Sequence, residues 1–272
     1  MLNVLFTGNK YVFRGMALGI LSILKKTEEP ITFHIMTMAC PWDKAEKLSK
    51  DYFDKIYDVV KILSPGSKMV YYDISEDFTR EFLNSPNRKP PYTPASLIRL
   101  FALRYITCDY LLYFDCDTMC YNSLSVYNDI DISNYEIGVS LDYLGRNWLK
   151  ADYFNSGSMY INVKMCNETK LFERSIDYLN KKKLFFADQT ALYRLSKKRL
   201  YLPMKFNEQR SVKPDTVIKH FNKGVKYLPI PRSYNVKQWQ VTKVHKKLKI
   251  FEFDDIYELY DTYFNDIWPL DR

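Results

Sequence analysis

Apolar residues along this chain follow two periods. Short continuous runs, Val4-Leu5-Phe6, Ile31–Thr37 (ITFHIMT), Tyr110–Phe114 (YLLYF) and Ile137–Leu141, have the length and the β-branched or aromatic content of buried strands. Between the first two, Phe13, Met16, Ala17, Ile20, Leu21 and Leu24 recur at helical spacing and predict an amphipathic helix. Pro41-Trp42-Asp43 opens a second predicted helix that runs to about Phe53. Strand, helix, strand, helix at this pitch predicts an α/β fold: a mainly parallel sheet flanked by helices, joined by right-handed crossovers. Asn84–Asn87 and Lys89–Tyr92 are turn and loop segments, after which Thr93-Pro94 supplies an N-cap and a first-turn proline for a helix to Tyr105. Beyond Phe114 the pattern predicts strands at Ile137–Leu141 and Met159–Val163, then a helix over about Glu168–Leu179. A helix over Gln189–Leu195 follows, capped by Asp188, then a late strand Val217–Phe221 and a helical tail over Asp254–Trp268.

The chain has 272 residues, 47% of them hydrophobic and 26% charged, which suits one large soluble α/β domain. Residues 1–236 read as that domain and 237–272 as a basic, aromatic extension. Eight glycines argue against a glycine-built phosphate loop. The five cysteines (Cys40, Cys108, Cys116, Cys120 and Cys166) are odd in number and mostly in apolar contexts, as expected of free thiols in a reducing compartment. Cys116 and Cys120 have no second Cys/His pair at zinc spacing. No segment is long enough to span a bilayer, and Met16–Leu24 lacks the cleavage site of a signal peptide, so a cytoplasmic location is expected.

Chemistry concentrates where the run Tyr110–Phe114 ends in Asp115-Cys116-Asp117. Open α/β sheets bind ligands at the C-terminal ends of their strands. Side chains two apart in extended backbone point the same way, so both carboxylates can face one hard cation carrying a diphosphate. An Asp pair after a strand is also ordinary turn chemistry, so the reading depends on its company. His34, inside a predicted strand, reads as a hydrogen-bonded core residue.

That company resembles glycosyltransferase family 8, the retaining enzymes that include lipooligosaccharide galactosyltransferases and glycogenin. The likeness covers most of the chain. Val4–Tyr11 resembles the family's first strand and nucleotide-contacting loop, Tyr92–Leu100 its helix with a donor-binding arginine, and Asp115-Cys116-Asp117 its D-x-D. Phe154-Asn155-Ser156-Gly157 with Ile161-Asn162-Val163-Lys164 resembles its F-N-[AS]-G…N-x-K segment, Asp188-Gln189 its D-Q pair, and His220…Lys226 a late His/Lys element. Here the late glycine, Gly224, stands one place later than in the family's H-x-x-G-x-x-K-P-W, and Lys226 is not followed by Pro-Trp.

The resemblance implies a GT-A-type, Rossmann-like fold, a UDP-sugar donor and a saccharide or glycan acceptor. It implies a divalent cation, Mn²⁺ with Mg²⁺ as second choice, held by Asp115, Asp117 and His220. Thr7, Gly8, Asn9 and Tyr11 would contact the nucleotide, with Cys116 between the two aspartates. Lys226 would place a charge near the β-phosphate, and the Arg99 fork would hold a carboxylate or the sugar. Asn155, Ser156, Asp188 and Gln189 would line the sugar. Asp188 and Gln189 would face its anomeric carbon, with front-face attack and a covalent participant both open. Asp142 would contact the acceptor.

Three other readings compete with this one. A metal-dependent nucleotidyltransferase or nucleotide-sugar hydrolase would use the same Asp pair, but no third carboxylate or glycine-rich loop is evident. A net charge of +8 invites nucleic acid, yet the charges are spread and no recognition signature appears, so no nucleic-acid partner is expected. A catalytically silent carbohydrate binder would not need the intact metal set. The extension offers Lys237-Gln238-Trp239, the cluster Lys243, Lys246, Lys247 and Lys249, and Trp268. These would give weak, salt-reversible contact with a membrane surface, or would pack on the domain with the lysines in solvent.

Overall fold

The computed structural model describes residues 1–43, 46–89, 93–226 and 232–272, with the side chains of Lys226 and Arg232 outside that description. The elements begin with β1 (Leu2–Thr7), α1 (Phe13–Lys26), β2 (Ile31–Thr37), α2 (Lys50–Leu63), β3 (Lys68–Asp73) and α3 (Ser75–Phe82). A 3₁₀ segment, Pro94–Phe101, runs into α4 (Ala102–Tyr105), followed by β4 (Tyr110–Phe114), β5 (Thr118–Cys120), β6 (Ile137–Leu141), α5 (Gly145–Trp148) and β7 (Phe154–Asn162). Then come α6 (Val163–Thr169), α7 (Leu171–Lys181), α8 (Ala187–Leu195), β8 (Arg199–Tyr201) and β9 (Ile218–His220). The chain closes with β10 (Gly224–Lys226), β11 (Arg232–Tyr234), α9 (Val241–Lys243) with a π-helical turn Val244–Leu248, and α10 (Asp254–Phe264).

Seven strands form one mixed sheet in the order β3-β2-β1-β4-β7-β6-β8. The strands β3, β2, β1 and β4 are mutually parallel, β6 and β8 are parallel to each other, and β7 alone runs against its neighbours. Period-two alternation splits each central strand between two cores. Val4, Phe6, Leu112 and Phe114 face α1, α2 and α10, whereas Leu5, Leu111 and Tyr113 face the 94–105 segment, α7 and α8.

Several boundaries differ from the pattern-based reading. The second helix begins at Lys50 and not at Pro41, because Ser49 accepts from Tyr52 N as its cap, and Lys47 bridges to Asn9. Residues 44 and 45, inside the expected helix, lie outside the described residues, as do Pro90–Tyr92 of the loop and motif before Thr93. The expected helix over 168–179 is two helices broken at Lys170, whose φ of 52° is left-handed. Asp188 does not cap α8: the helix starts at Ala187.

The last segment is built into the main core. Phe264 packs edge-on against Phe13 and Trp268 stacks on the same ring. Arg14 reaches Asp271 at 2.5 Å and Pro269 O at 3.2 Å. Gln238 donates to the Cys116 carbonyl at 2.7 Å. The aromatic residues expected to reach a membrane are thus spent on packing, while Lys243, Lys246, Lys247 and Lys249 are exposed. No helix among the described residues is long and apolar enough to cross a membrane.

Candidate active site

The Asp pair does not lie in extended backbone as expected. Thr118 N and Oγ1 both donate to the Asp115 carbonyl, at 3.1 and 2.8 Å, closing a turn between β4 and β5. That turn leaves Asp117 where the late strand can reach it. β9 stands apart from the main sheet and pairs antiparallel with β5, Thr118 opposite His220, while Phe221 N donates to Asp117 O at 2.8 Å. His220 Nε2 thereby sits 3.1 Å from Asp117 Oδ1 and 3.9 Å from Asp115 Oδ2. One ligand atom from each of the three residues lies within 4.8 Å of the other two.

The remaining oxygens of the pair are already engaged. Asp115 Oδ1 accepts from Arg99 at 2.7 Å and from the Tyr113 hydroxyl at 2.6 Å, so Oδ2 is the atom left facing the imidazole. Asp117 Oδ2 accepts from Lys237, which also donates to Phe221 O at 3.2 Å. Burial alone would raise the Asp117 pKa, but Lys237 and His220 beside it outweigh burial and hold the carboxyl well below the usual range. Gly157 makes the close approach possible: a Cβ there would meet His220 Cε1 at 2.2 Å and Asp115 Oδ2 at 2.7 Å.

A second group of residues hangs on Arg99, which the 94–105 segment carries almost fully buried beneath the Asp pair. Its guanidinium donates to Ser156 O at 2.7 Å and pairs with Asp188 Oδ2 at 3.3 Å as well as with Asp115. Burial works against its charge, but Asp115 and Asp188 keep it protonated. The Asp188 pKa is raised by burial, with Arg99 pulling the other way. Gln189 Oε1 accepts from Ser156 N at 3.1 Å, and its Nε2 donates to Asp142 Oδ2 at 3.3 Å. Asn155 donates to the same Asp142 oxygen at 3.0 Å, and Asp142 Oδ1 accepts from the Leu144 and Gly145 backbone.

These residues share one open cavity of about 750 Å³. Of the residues the sequence reading singled out, Thr7, Gly8, Arg99, Asp115, Cys116, Asp117, Asp142, Asn155, Ser156, Asp188, Gln189 and His220 all line it. Asn9 and Tyr11 do not. The Asn9 side chain is buried and accepts from Tyr11 N, capping the turn after β1, and that turn leaves the Tyr11 ring half exposed. Lys226 cannot be placed at the site, because its side chain lies outside the described residues.

Among the described residues the lysine that reaches the Asp pair is Lys237, which the sequence reading placed in a segment that would either meet a membrane or pack on the domain. It precedes Gln238 and Trp239, and Trp239 lines the same cavity and packs on Gly15. The β10–β11 pair (224–234) lies between His220 and this Lys-x-Trp. The tripeptide was the available signal, displaced eleven positions from where the motif was sought. Asn207 is the other residue missed. It is fully buried and hydrogen-bonds His220 Nδ1 at 3.0 Å, and nothing in its Lys-Phe-Asn-Glu surroundings marks it.

A strand-end carboxylate pair joined by a late histidine, beside a buried arginine and an Asp-Gln pair, is the arrangement the resemblance implied. A sequence model of glycosyl transferase family 8 matches residues 3–236. The chain belongs to glycosyl transferase family 8. A lipopolysaccharide 1,2-glucosyltransferase of Escherichia coli is 27% identical over 199 residues, covering 65% of this chain and 53% of that one. A glycosyltransferase, GlyA, of Streptococcus pneumoniae is 23% identical over 166 residues, covering 52% of this chain and 24% of that one. The chain spans about half the length of this glucosyltransferase. Among solved structures, the galactosyltransferase LgtC in complex with donor and acceptor sugar analogs superposes with a TM-score of 0.68 at 18% identity, covering 97% of this chain and 96% of that one. The fold of this family 8 chain is therefore the LgtC fold, an α/β sheet flanked by helices.

Asp115, Asp117 and His220 together offer the mixed O and N ligand atoms that suit a divalent metal. The Lys237 ammonium supplies positive charge to one side of the same cluster.

Proposed function

We propose that this chain transfers a hexose, glucose or galactose, from a UDP-sugar to a saccharide or glycan acceptor with retention at the anomeric carbon. The reading rests on one observation: the Asp115–Asp117–His220 cluster and the Arg99–Asp188–Gln189 group open into a single cavity. Mn²⁺, with Mg²⁺ as second choice, would be held by Asp115, Asp117 and His220 and would supply Lewis-acid stabilisation of the diphosphate leaving group. Lys237 lies against the same cluster and adds positive charge where that diphosphate would gain negative charge. Thr7 and Gly8 form the end of the cavity nearest β1 and suit the nucleoside. Asn155, Ser156, Asp188 and Gln189 present polar groups to the sugar. Asp188 is paired with Arg99 and the Gln189 oxygen is held by Ser156 N–H, so both act by positioning the sugar. Asp142, joined to Gln189 and Asn155, faces the acceptor side.

Turnover of UDP-glucose and UDP-galactose in Mn²⁺, with and without saccharide acceptors, tests the reading. The lipopolysaccharide glucosyltransferase among its relatives points the screen toward lipopolysaccharide acceptors. Acceptor-dependent release of UDP that EDTA abolishes is the expected result. Donor hydrolysis indifferent to every acceptor would favour a nucleotide-sugar hydrolase.

The exposed lysines Lys243, Lys246, Lys247 and Lys249, with Phe251 exposed beside them, support weak attachment to anionic surfaces. Co-sedimentation with phosphatidylglycerol vesicles at low salt, lost at high salt and in a four-fold Lys→Gln variant, is expected. Equal recovery in the supernatant would end that reading.

A further inference from the structure

A buried chain of amides joins the His220 imidazole to Asp142 through Asn207 and Asn155, and its polarity can be assigned from its ends. Asp142 Oδ2 can only accept, so the Asn155 group 3.0 Å from it is the amide nitrogen. Gly157 N can only donate, and it lies 3.0 Å from the other end of Asn155, which is therefore the oxygen. That oxygen accepts a second bond from Asn207, at 3.0 Å, so Asn207 presents its nitrogen there and its oxygen to His220. An amide oxygen 3.0 Å from Nδ1 requires Nδ1 to carry the proton. Every bond in the chain has one permitted direction, set by a carboxylate and a backbone N–H that cannot reverse.

We infer that Asn207 is a positioning residue that holds the proton on His220 Nδ1 and so keeps Nε2 directed at Asp115 and Asp117. This rests on the proposed metal site and adds to it a link between the cation and Asp142. Asn207 is fully buried, His220 and Asn155 nearly so, so water is poorly placed to substitute for any member. Outer-shell partners of this kind orient a ligating imidazole and raise its basicity, and their loss costs about 10–100-fold in metal affinity.

Two measurements test it. In long-range ¹H–¹⁵N spectra of histidine-labelled protein, with the His220 signal identified from His220→Gln, Nδ1 is expected to carry the proton both without metal and with excess Mg²⁺. Mn²⁺ titrated alone and followed by electron paramagnetic resonance should bind Asn207→Leu at least about tenfold more weakly than wild type. UDP affinity in EDTA should stay within about twofold, which separates this effect from failure of the donor site. Asn207→Asp keeps an oxygen for Nδ1 but opposes one to Asn155, and should retain the Nδ1 proton while weakening the bond to Asn155. An unprotonated Nδ1 in the wild type, or Mn²⁺ binding of Asn207→Leu at wild-type strength, would overturn the inference. Should Asn207→Leu not fold, the wild-type spectrum decides alone. Loss of UDP binding in EDTA as well would instead count against the metal role.

Discussion

Gly157→Ala isolates how much of the site depends on one missing methyl group. Gly157 has no positive φ, so alanine meets no backbone penalty and the whole effect is steric. The added Cβ would sit 2.2 Å from His220 Cε1 and 2.7 Å from Asp115 Oδ2. β7 cannot yield, being flanked by β4 and β6, with Asp115 N donating to Gly157 O at 2.8 Å. The imidazole must therefore retreat by about 1 Å to regain ordinary contact, which strains its bond to Asn207 and withdraws Nε2 from the aspartates. Displacement of that size at a catalytic group costs on the order of 100-fold in rate, or about 3 kcal/mol. Overpacking adds about 1–3 kcal/mol against the fold, a fall in Tm of several degrees. Mn²⁺ affinity measured alone, kcat in saturating Mn²⁺ and Tm in EDTA form the assay. Wild-type Mn²⁺ affinity in a folded Gly157→Ala protein would refute the placement of His220 against Gly157 as a determinant of metal binding.

Asp117→Asn should lower kcat by about 100-fold or more, on the order of 3 kcal/mol, with little change in the circular-dichroism spectrum; near-normal turnover in Mn²⁺ would refute its ligand role. Lys237→Met removes a cation that competes for Asp117, so Mn²⁺ alone should bind a few-fold tighter while UDP binds more weakly; weaker Mn²⁺ binding would contradict the competition. His34 hydrogen-bonds Tyr72 and Asn3 within the sheet, and burial lowers its pKa from 6.5 to about 4. The unfolded chain takes up that proton first, so the contribution of His34 is present above pH 6.5 and is lost as pH falls toward 4, up to about 3 kcal/mol. Urea unfolding of wild type and His34→Gln at pH 7 and 5 measures it; equal losses in both would show the sensitivity lies elsewhere.

Local pattern was enough to place three of the four parallel strands, but not the edge strand β3 (Lys68–Asp73), whose half-exposed residues give no apolar run. The strands β1, β2 and β4 are continuous apolar runs because both faces are buried, and α1 carries its stripe at helical spacing because one face meets that sheet. The Asp115–Asp117 pair stood out by its own chemistry at a strand end, whereas Arg99, Asn155, Asp188, Gln189 and His220 were legible only through the resemblance, as motifs weak singly but ordered along the chain. What the chain alone did not decide is where separate segments meet. β5 and β9 are three-residue strands, too short to have a period, yet their pairing puts His220 beside Asp117. Lys237 reads in sequence as one more cation in a basic stretch. It turns inward because Gln238 bonds the Cys116 carbonyl and Trp239 fills the space beside Gly15, contacts between residues more than a hundred positions apart or at opposite ends of the chain. Asn207 carries no local signature, since a buried amide declares its role only through the partners that folding brings to both its ends.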